Sequence, residues 1–280
     1  MDQFAFKVPV GARVVLADHD PDQNGGLEKI PSAKLLDRLT KELSILQEEL
    51  FGARKHALLV ILQGPDTSGK DGTIKSVFRG ITPVGLRAIS FKAPTEVELA
   101  HHFLWRIDRE LPPKGFISIF NRSHYEDVLV PRVEEYVPPE VWQARYEAIN
   151  DYERMLTRNG MLIIKFFLHI SPEEQHKRLL AREANVQKAW KISPDDWQMR
   201  GKWDQYVEAQ EDVMNLCNTE DSPWYVVPAD RKWFRNLAVA QALVQFLRAH
   251  REEWGETLRQ MSLEKVAHLN ALRASGEISQ

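Results

Sequence analysis

The chain has 280 residues, of which 43% are hydrophobic and 28% are charged, a composition typical of a globular protein. Its formal net charge of −3 argues against a broadly basic surface for nucleic acid, and no apolar run reaches the ~18 residues of a membrane span. The single cysteine, Cys217, excludes an internal disulfide, and no N-terminal stretch has the pattern of a secretory signal. These features predict one cytoplasmic domain over 1–280, without a nucleic-acid or membrane partner.

The two ends of the chain differ in pattern. Residues 1–30 lack hydrophobic periodicity and carry Asn-Gly-Gly at 24–26, which predicts an irregular arm. The segment 31–55 is predicted to be an N-terminal helix, because leucines recur at helical spacing over too few heptads for a coiled coil. These leucines are Leu35, Leu39, Leu43, Leu46 and Leu50. The segment 251–280 is predicted to be a C-terminal helix with a frayed tail.

Between these ends, short apolar runs alternate with helical segments. The predicted strands are 57–63, 86–91, 116–120, 161–168 and 224–227. The predicted helices are 71–79, 96–109, 139–159, 172–183, 197–218 and 231–249. Such alternation favours parallel pairing, and nearly continuous apolar strands favour a sheet covered on both faces. The predicted fold class is α/β, a three-layer α/β/α sandwich with a five-stranded parallel sheet. Ligands are then expected at the carboxyl ends of the strands.

The loop after the first predicted strand has the spacing of a phosphate-binding loop. Gly64 is separated by four residues from Gly69-Lys70, and Thr67 and Ser68 lie inside the loop. In such a loop the backbone N–H groups and the start of the following helix face an anion, and the lysine reaches its phosphates. The strand before the loop and the helix after it favour phosphate binding over an ordinary turn.

Two acids in and after this loop need an explanation. The residue after the lysine is Asp71, where the usual motif has a magnesium-binding hydroxyl. Asp66 would face bound phosphate, so it is interpreted as a magnesium ligand, with a turn-forming aspartate as the alternative. Asp71 is interpreted as an acid at the helix N-terminus rather than a second ligand. Lys92, just past another predicted strand, is expected to face the same site.

A second polar cluster follows the strand 116–120. Asn121 occupies a position where phosphate-loop proteins often carry an acid of the magnesium site, and Arg122 is suited to clamp a phosphate. Either Glu126 or Asp127 could supply the missing carboxylate, with Asp127 taken as the metal ligand, and Arg132 is a further candidate cation. The alternative is a polar helix N-terminus held by side-chain pairs.

The segment 177–202 is basic. It contains seven positive and three negative side chains, a local charge of +4 (7 − 3). After the fourth predicted strand, such a segment is typical of a lid that closes over transferring phosphates, although a solvated charged face is the alternative. The cations exceed what one nucleoside triphosphate needs and would suit a longer phosphate chain. The candidate contacts are Arg178, Arg182, Lys188 and Lys191.

Taken together, these motifs resemble the polyphosphate kinase 2 family over about residues 30–250. The motifs that carry the resemblance are G-P-D-T-S-G-K-D-G (64–72), P-T-E (94–96), H-F-L-W-R (102–106), F-N-R-S-H-Y-E-D-V-L (120–129), K-R-L-L-A-R (177–182), K-A-W-K-I-S (188–193) and P-W-Y-V-V-P-A-D (223–230). The first motif and the one at 120–129 are specific in combination.

The resemblance implies a P-loop kinase fold like that of thymidylate kinase, with a helical lid. It implies phosphoryl transfer from inorganic polyphosphate to ADP and AMP, reversibly, with Mg²⁺ or Mn²⁺. Asp66 and Lys70 match the essential loop residues of the family, and Arg122 and Arg182 match its phosphate-contacting arginines. The variant S-H-Y-E-D looks like the single-domain branch that accepts both AMP and ADP, which makes Glu126 a candidate for nucleotide selection.

Two further expectations accompany this interpretation. Exposed apolar positions on the first or last helix would support a homo-oligomer, either a dimer or a tetramer. The rival function is an ATP-dependent nucleoside or nucleoside-monophosphate kinase, which shares the fold but needs no extended basic lid. A GTP-dependent switch is disfavoured because the chain has no Asn-Lys-x-Asp motif.

Overall fold

The computed structural model describes residues 3–185, 187 and 193–279. The strands in this part of the chain are Phe6–Lys7 (β1), Ala57–Gln63 (β2), Leu86–Ser90 (β3), Ile117–Asn121 (β4), Met161–His169 (β5) and Trp224–Pro228 (β6). They form one sheet in the order β1-β6-β5-β2-β4-β3. Strands β2 to β6 pair in parallel, whereas β1 runs antiparallel to β6.

The predicted five-stranded sheet is one strand short, because the arm 1–30 is not wholly irregular. In β1, Phe6 pairs with Val226 and Lys7 pairs with Tyr225. A strand of two residues is too short to show alternation in the sequence, so only the structure reveals it. Its position at the edge of β6 covers backbone groups that would otherwise be unpaired.

The α-helices of the described residues surround this sheet. They are Lys29–Ala53 (α1), Lys70–Val77 (α2), Glu96–Leu99 (α3), Trp105–Asp108 (α4), Glu126–Val133 (α5), Pro139–Arg158 (α6), Pro172–Glu183 (α7), Pro194–Gly201 (α8), Trp203–Leu216 (α9), Lys232–Arg248 (α10) and Arg251–Ser275 (α11). Helix α1 packs against α10 and α11 on one side, and α5 packs against α6 and α9 on the other. None of the described helices is both long and apolar enough to cross a membrane.

The central strand β2 is buried on both faces. Leu58, Val60 and Leu62 pack into the core that contains α1 and α10. Leu59 and Ile61 pack into the core that contains α5, α6 and α9. Because both faces of β2 are buried, its sequence is a continuous hydrophobic run and not an alternating one, as predicted.

Two predicted helices are each divided in the structure. The segment 96–109 forms α3 and α4, and Thr95 and Glu98 close a capping box at the start of α3. The segment 197–218 begins earlier and is split, because α8 ends at Gly201 and α9 begins at Trp203. Glycine is a weak helix former, which accounts for the second break. No proline or glycine marks the first break in the sequence.

Candidate active site

The glycine-rich loop lies at the centre of the carboxyl edge of the sheet. It connects β2 to α2, and β2 is flanked by β4 on one side and β5 on the other. The chain leaves β2 toward β3 at one edge of the sheet and leaves β5 toward β6 near the other edge, so a switch point lies between β2 and β5, where open α/β sheets form a ligand crevice. Residues at the ends of β2 and β4 therefore share one crevice, as the sequence predicted.

The backbone of the loop adopts conformations that side chains disfavour. Gly64 has φ 144° and Gly69 has φ 102°, and Thr67 takes the left-handed region with φ 65°. A Cβ atom at Gly64 would lie 2.9 Å from the carbonyl oxygen of Leu168, so glycine is required there by space as well as by conformation. A non-glycine residue with positive φ costs free energy and is typical of functional loops.

Polar groups inside the loop lack partners. The hydroxyl oxygens of Thr67 and Ser68 are buried and form no hydrogen bond within the described structure. Leaving a buried polar group unpaired costs about 1–3 kcal/mol, so the loop is better suited to a bound polar ligand than to remaining without one. Lys70 donates from Nζ to the carbonyl oxygens of Gly64 at 2.6 Å and Pro65 at 3.2 Å. Burial lowers the pKa of Lys70, while nearby Asp66 opposes that effect.

Four charged side chains form a continuous chain across the crevice. Arg122 donates from Nη2 to Oδ1 of Asp66 at 2.7 Å, and Arg182 donates from Nη1 to Oδ2 of Asp196 at 3.0 Å. The two carboxyl groups between these arginines lie close enough for each to shift the pKa of the other. Three of the four residues were predicted as catalytic, and the structure brings them together.

The pKa values of the paired carboxyl groups are shifted in opposite directions. Burial and the neighbouring Asp66 raise the pKa of Asp196 to about 6. Burial acts to raise the pKa of Asp66 as well, but Lys70 and Arg122 outweigh it and hold that pKa below its usual value. Two neighbouring carboxylates repel each other unless a proton or a metal ion lies between them. Their oxygens are the ligand type that Mg²⁺ prefers.

A cleft with about 650 Å³ of empty space, part of it open to solvent, adjoins this charged chain. Its polar end contains Asp66, Arg122 and Asp196. Its other end is largely apolar and aromatic. The lining residues there are Leu129, Phe167, Met199, Trp203, Tyr206 and Val207. The cleft therefore combines a charged region for phosphates with a region suited to a flat, weakly polar ring.

Two predicted residues beside the loop form hydrogen bonds across it. Asn121, at the end of β4, donates to Oδ1 of Asp71 at 2.7 Å. Asp71 lies in the first turn of α2, in agreement with its interpretation as an N-terminal acid. Glu126 accepts from Nε2 of Gln63 at 2.9 Å and lines the cleft. Arg122 has φ 63°, so the backbone turns sharply directly after β4.

Arg178 contacts the loop from behind rather than facing the cleft. Its Nη1 donates to the carbonyl oxygens of Thr67 at 3.1 Å and Ser68 at 3.3 Å, and its Nη2 donates to two carbonyl oxygens at 229–230. Its Nε donates to Glu174 at 2.8 Å. These bonds occupy the donors of the guanidinium, so Arg178 supports the loop instead of offering a free cation to a phosphate chain.

Two other predicted residues lie in ion pairs outside the charged chain. Asp127 accepts from Nη2 of Arg106 at 3.0 Å, and burial raises its pKa although Arg106 opposes this. Arg132 donates to Asp212 at 2.6 Å and to Glu208 at 2.9 Å. Adjacent helix positions point about 100° apart, so the side chains of Asp127 and Glu126 face different directions, and Glu126 is the one that lines the cleft. The sequence spacing alone could not show which of these two acids faces the cleft.

The remaining predicted cations are Lys92, Lys188 and Lys191. The side chain of Lys92 is exposed at the end of β3. Lys188 and Lys191 lie outside the described residues. Two residues of the site were not predicted from the sequence. Asp196 counted only as a negative charge in the basic segment, and Arg235 was given no role. In the structure, Nη1 of Arg235 donates to the carbonyl oxygen of Ser68 at 3.0 Å. Neither residue belongs to a recognisable spacing motif, so no local signal identified them.

Comparisons with known proteins agree with this geometry. The AMP/ADP-polyphosphate phosphotransferase of Meiothermus ruber is 47% identical over 244 residues, covering 86% of this chain and 91% of that protein. The ADP-polyphosphate phosphotransferase of Rhodopseudomonas palustris is 43% identical over 236 residues, covering 80% of this chain and 82% of that protein. The crystal structure of polyphosphate kinase 2 from Arthrobacter aurescens TC1 superposes with a TM-score of 0.83 at 41% identity, covering 86% of this chain and 87% of that one.

These structural likenesses confirm the predicted P-loop kinase fold. Residues 27–254 match the family described as polyphosphate kinase 2. The match begins before α1 and ends within the first turn of α11, so it includes the sheet, the glycine-rich loop and the cleft. The chain belongs to the polyphosphate kinase 2 family.

Proposed function

We propose that this protein transfers phosphoryl groups between inorganic polyphosphate and ADP or AMP, in a reaction that requires magnesium. The observation that carries the proposal is the neighbouring pair of Asp66 and Asp196, flanked by Arg122 and Arg182 beside a phosphate-type loop. Such a cluster suits a reaction in which two highly charged phosphate groups must approach each other. The names of the similar proteins support polyphosphate rather than ATP as the phosphoryl donor.

The residues of the cleft fit a divalent cation. Asp66 and Asp196 would hold Mg²⁺, with Mn²⁺ as a substitute, because their neighbouring carboxyl groups offer the oxygen ligands that these ions accept. When bound, the ion supplies positive charge to the phosphate oxygens and reduces their mutual repulsion. Asp127 is better assigned to positioning, because Arg106 pairs with it at 3.0 Å.

The protein side chains account for the rest of the chemistry. The N–H groups of the Gly64–Lys70 loop and the Lys70 ammonium bind phosphate oxygens. Arg122 and Arg182 neutralise charge on the transferring group from opposite sides of the acid pair. The attacking atom is a phosphate oxygen that is already ionised near neutral pH, since its second pKa is about 6. No side chain therefore has to act as a strong general base, and catalysis consists of positioning and charge neutralisation.

The apolar end of the cleft is assigned to the nucleoside. Trp203 and Tyr206 offer aromatic faces, and Gln210 offers an amide group to a base or ribose. Glu126 lines the same cleft and is near enough to Arg122 to affect its charge, so it can distinguish acceptors by their negative charge. A nucleotide bound here would point its phosphates at the acid pair. Two residues of the predicted lid, Asp196 and Met199, complete the wall.

A donor-exchange experiment tests this function. Purified protein is incubated with ADP, Mg²⁺ and long-chain polyphosphate in the absence of ATP, and the formation of ATP is followed by chromatography. A parallel reaction replaces ADP with AMP. Formation of ATP from ADP supports the proposal. A third reaction contains ATP and a nucleoside or monophosphate without polyphosphate. Phosphoryl transfer in that reaction alone would establish the rival ATP-dependent kinase.

The assembly state and the cellular location stay predictions. The outer half of α11 exposes Leu263, Val266 and Leu269, which is consistent with an oligomer contact at this helix. Size-exclusion chromatography with light scattering distinguishes a monomer from the expected dimer or tetramer.

A further inference from the structure

Arg235 lies directly behind the phosphate loop. It is in the first turn of α10, and only 2% of the residue is exposed. Its Nη1 donates to the carbonyl oxygen of Ser68 at 3.0 Å. A Cβ atom at Gly69 would lie 1.8 Å from the same Nη1, and one at Gly72 would lie 3.2 Å from Nη2. The guanidinium therefore touches the back of the loop and the start of α2 at the same time.

The charge of this guanidinium is not balanced by an acid. Its other hydrogen bonds, from Nε at 3.2 Å and from Nη2 at 2.8 Å, go to the neutral amide oxygen of Asn236. Within the part of the chain that the structure describes, no carboxylate forms an ion pair with it. Burial and the neighbouring Arg178 lower the pKa of Arg235 to about 9, so it remains a cation at neutral pH. A buried cation without a counter-charge is costly.

Arg178 provides an internal comparison. It also binds the carbonyl oxygen of Ser68, but its charge is balanced by Glu174 at 2.8 Å. Two arginines thus hold the same peptide from behind, and only one of them has an acidic partner. Backbone support alone does not explain why the second charge is left unbalanced.

We propose that Arg235 is the counter-charge of the bound phosphate group, acting through the thin glycine backbone of the loop. Gly69 separates the guanidinium from the anion site and has no side chain to increase that separation. In the protein without ligand, Arg235 is an uncompensated cation; when the loop binds an anion, the two charges attract in a region of low dielectric constant. Arg235 is a positioning residue for the phosphate chain, and this inference rests on the proposed function.

A matched pair of substitutions separates charge from hydrogen bonding. Arg235→Lys and Arg235→Gln both keep a donor for the carbonyl oxygen of Ser68, but only lysine keeps the charge. Binding of inorganic triphosphate is measured by isothermal titration calorimetry in the presence of Mg²⁺. We expect Arg235→Gln to weaken binding about tenfold or more and Arg235→Lys to stay within about threefold of the unsubstituted protein. Equal affinities for the two variants would overturn the inference.

A third substitution tests the same idea with the opposite effect on stability. Asn236→Asp is nearly isosteric and places a carboxylate where Arg235 already donates two hydrogen bonds. If the guanidinium lacks a counter-charge, this variant should melt at a higher temperature without ligand and bind triphosphate more weakly. Unchanged or tighter binding would contradict the inference, even if the Arg235 variants failed to fold. Arg231→Gln, on the exposed side of the same helix start, controls for a general loss of positive charge.

The outcome is distinguishable from failure of the proposed function. If the unsubstituted protein binds triphosphate and forms ATP from polyphosphate, but all variants bind alike, only the role of Arg235 is refuted. If the unsubstituted protein neither binds triphosphate nor forms ATP, the proposed function is refuted, and the role of Arg235 with it.

Discussion

The carboxyl group of Asp196, in helix α8, lies beside the carboxyl group of Asp66, in the phosphate loop, and each shifts the pKa of the other. The two residues are 130 positions apart in the sequence (196 − 66), and only the docking of α8 over the cleft brings them together. Each acid also pairs with its own arginine, so neither can move without breaking a charged contact. The lid segment and the loop therefore meet at the proposed cation site.

The substitution Asp196→Asn should weaken divalent metal binding while preserving the fold. The amide can still donate a hydrogen bond to Asp66, so α8 stays docked, but one negative ligand is lost. Loss of even an outer-shell partner of a metal ligand typically lowers metal affinity about 10- to 100-fold, so loss of a direct ligand should lower it at least as much. Titration with Mn²⁺, followed by electron paramagnetic resonance, measures this directly. Metal-induced stabilisation in a thermal melt should fall in parallel.

The control for this substitution is Asp204→Asn, which removes an exposed acid from the first turn of α9. It should leave Mn²⁺ affinity unchanged. If Asp196→Asn binds Mn²⁺ as tightly as the unsubstituted protein, Asp196 is not a metal ligand, and its contact with Asp66 is structural.

Two arginines of the polar cluster that follows β4 should differ in their importance for turnover. Arg122 lines the cleft and pairs with Asp66, whereas Arg132 pairs with Asp212 and Glu208. We expect Arg122→Gln to lower kcat/KM with polyphosphate and ADP by at least about 100-fold, because a cation at the transferring phosphate is lost.

The matched variant Arg132→Gln should stay within about threefold in kcat/KM, because its ion pairs are partly exposed and such pairs contribute little. Steady-state kinetics on both variants, with folding checked by circular dichroism, compares them. Similar losses in the two variants would mean that Arg132 reaches the reacting phosphates after all.

The general architecture was predictable from the sequence, because the hydrophobic runs are long and the loop motif is local. The strands β2 to β6 and the helix α6 begin and end close to their predicted limits. Short features were not predictable. The two-residue strand β1 has no periodicity, and the break between α3 and α4 has no glycine or proline to mark it. Both depend on packing between segments distant in the sequence.

The site was predictable where it depends on consecutive residues. The loop residues from Gly64 to Lys70 and the adjacent Arg122 needed only strand ends and spacing to be identified. The direction of a side chain is harder to predict. Sequence alone could not show that Arg178 points behind the loop, or that Arg235 joins it there. Charge counts identified the basic segment but not which of its cations already have partners.

Glycine at position 69 should be indispensable. Gly69→Ala places a methyl group 1.8 Å from Nη1 of Arg235, at a φ of 102° that alanine disfavours. The buried guanidinium is held by Ser68 and cannot easily move away. We expect turnover to fall by at least about 100-fold and stability to fall by about 1–3 kcal/mol. Chemical denaturation and kinetics measure the two effects.

Gly255→Ala is the matched control for this substitution. Gly255 lies within α11, and no atom lies within 4 Å of the added methyl group. Replacing a helical glycine by alanine should stabilise the protein by roughly 0.5–1 kcal/mol and leave turnover unchanged. Equal losses of turnover and stability in both variants would show that the fold tolerates no added methyl group in general, and that the effect is not specific to the loop.

Beneath the motif that carries Arg122, a buried network should make the protein sensitive to acid. Glu153 accepts hydrogen bonds from Lys165 at 2.6 Å and Tyr125 at 2.7 Å, and His124 lies 3.1 Å away. Burial acts to raise the pKa of Glu153, but Lys165 and His124 outweigh it and lower that pKa from 4.5 to about 2. Because the folded pKa lies below the unfolded one, the unfolded state binds more protons between these values. Stability from this carboxylate is therefore present above about pH 4.5 and is lost as the pH falls toward 2.

The substitution Glu153→Gln tests this linkage. At pH 7 it leaves the buried Lys165 without its counter-charge, which should cost about 3–5 kcal/mol of unfolding free energy. It should also flatten the dependence of stability on pH between about 4.5 and 2, because the shifted group is gone. Asp151→Asn, an exposed acid on the same helix, should change neither quantity appreciably. Urea denaturation at several pH values would contradict the assignment if the Gln variant kept the full acid-dependent loss of stability, because another group would then have to carry it.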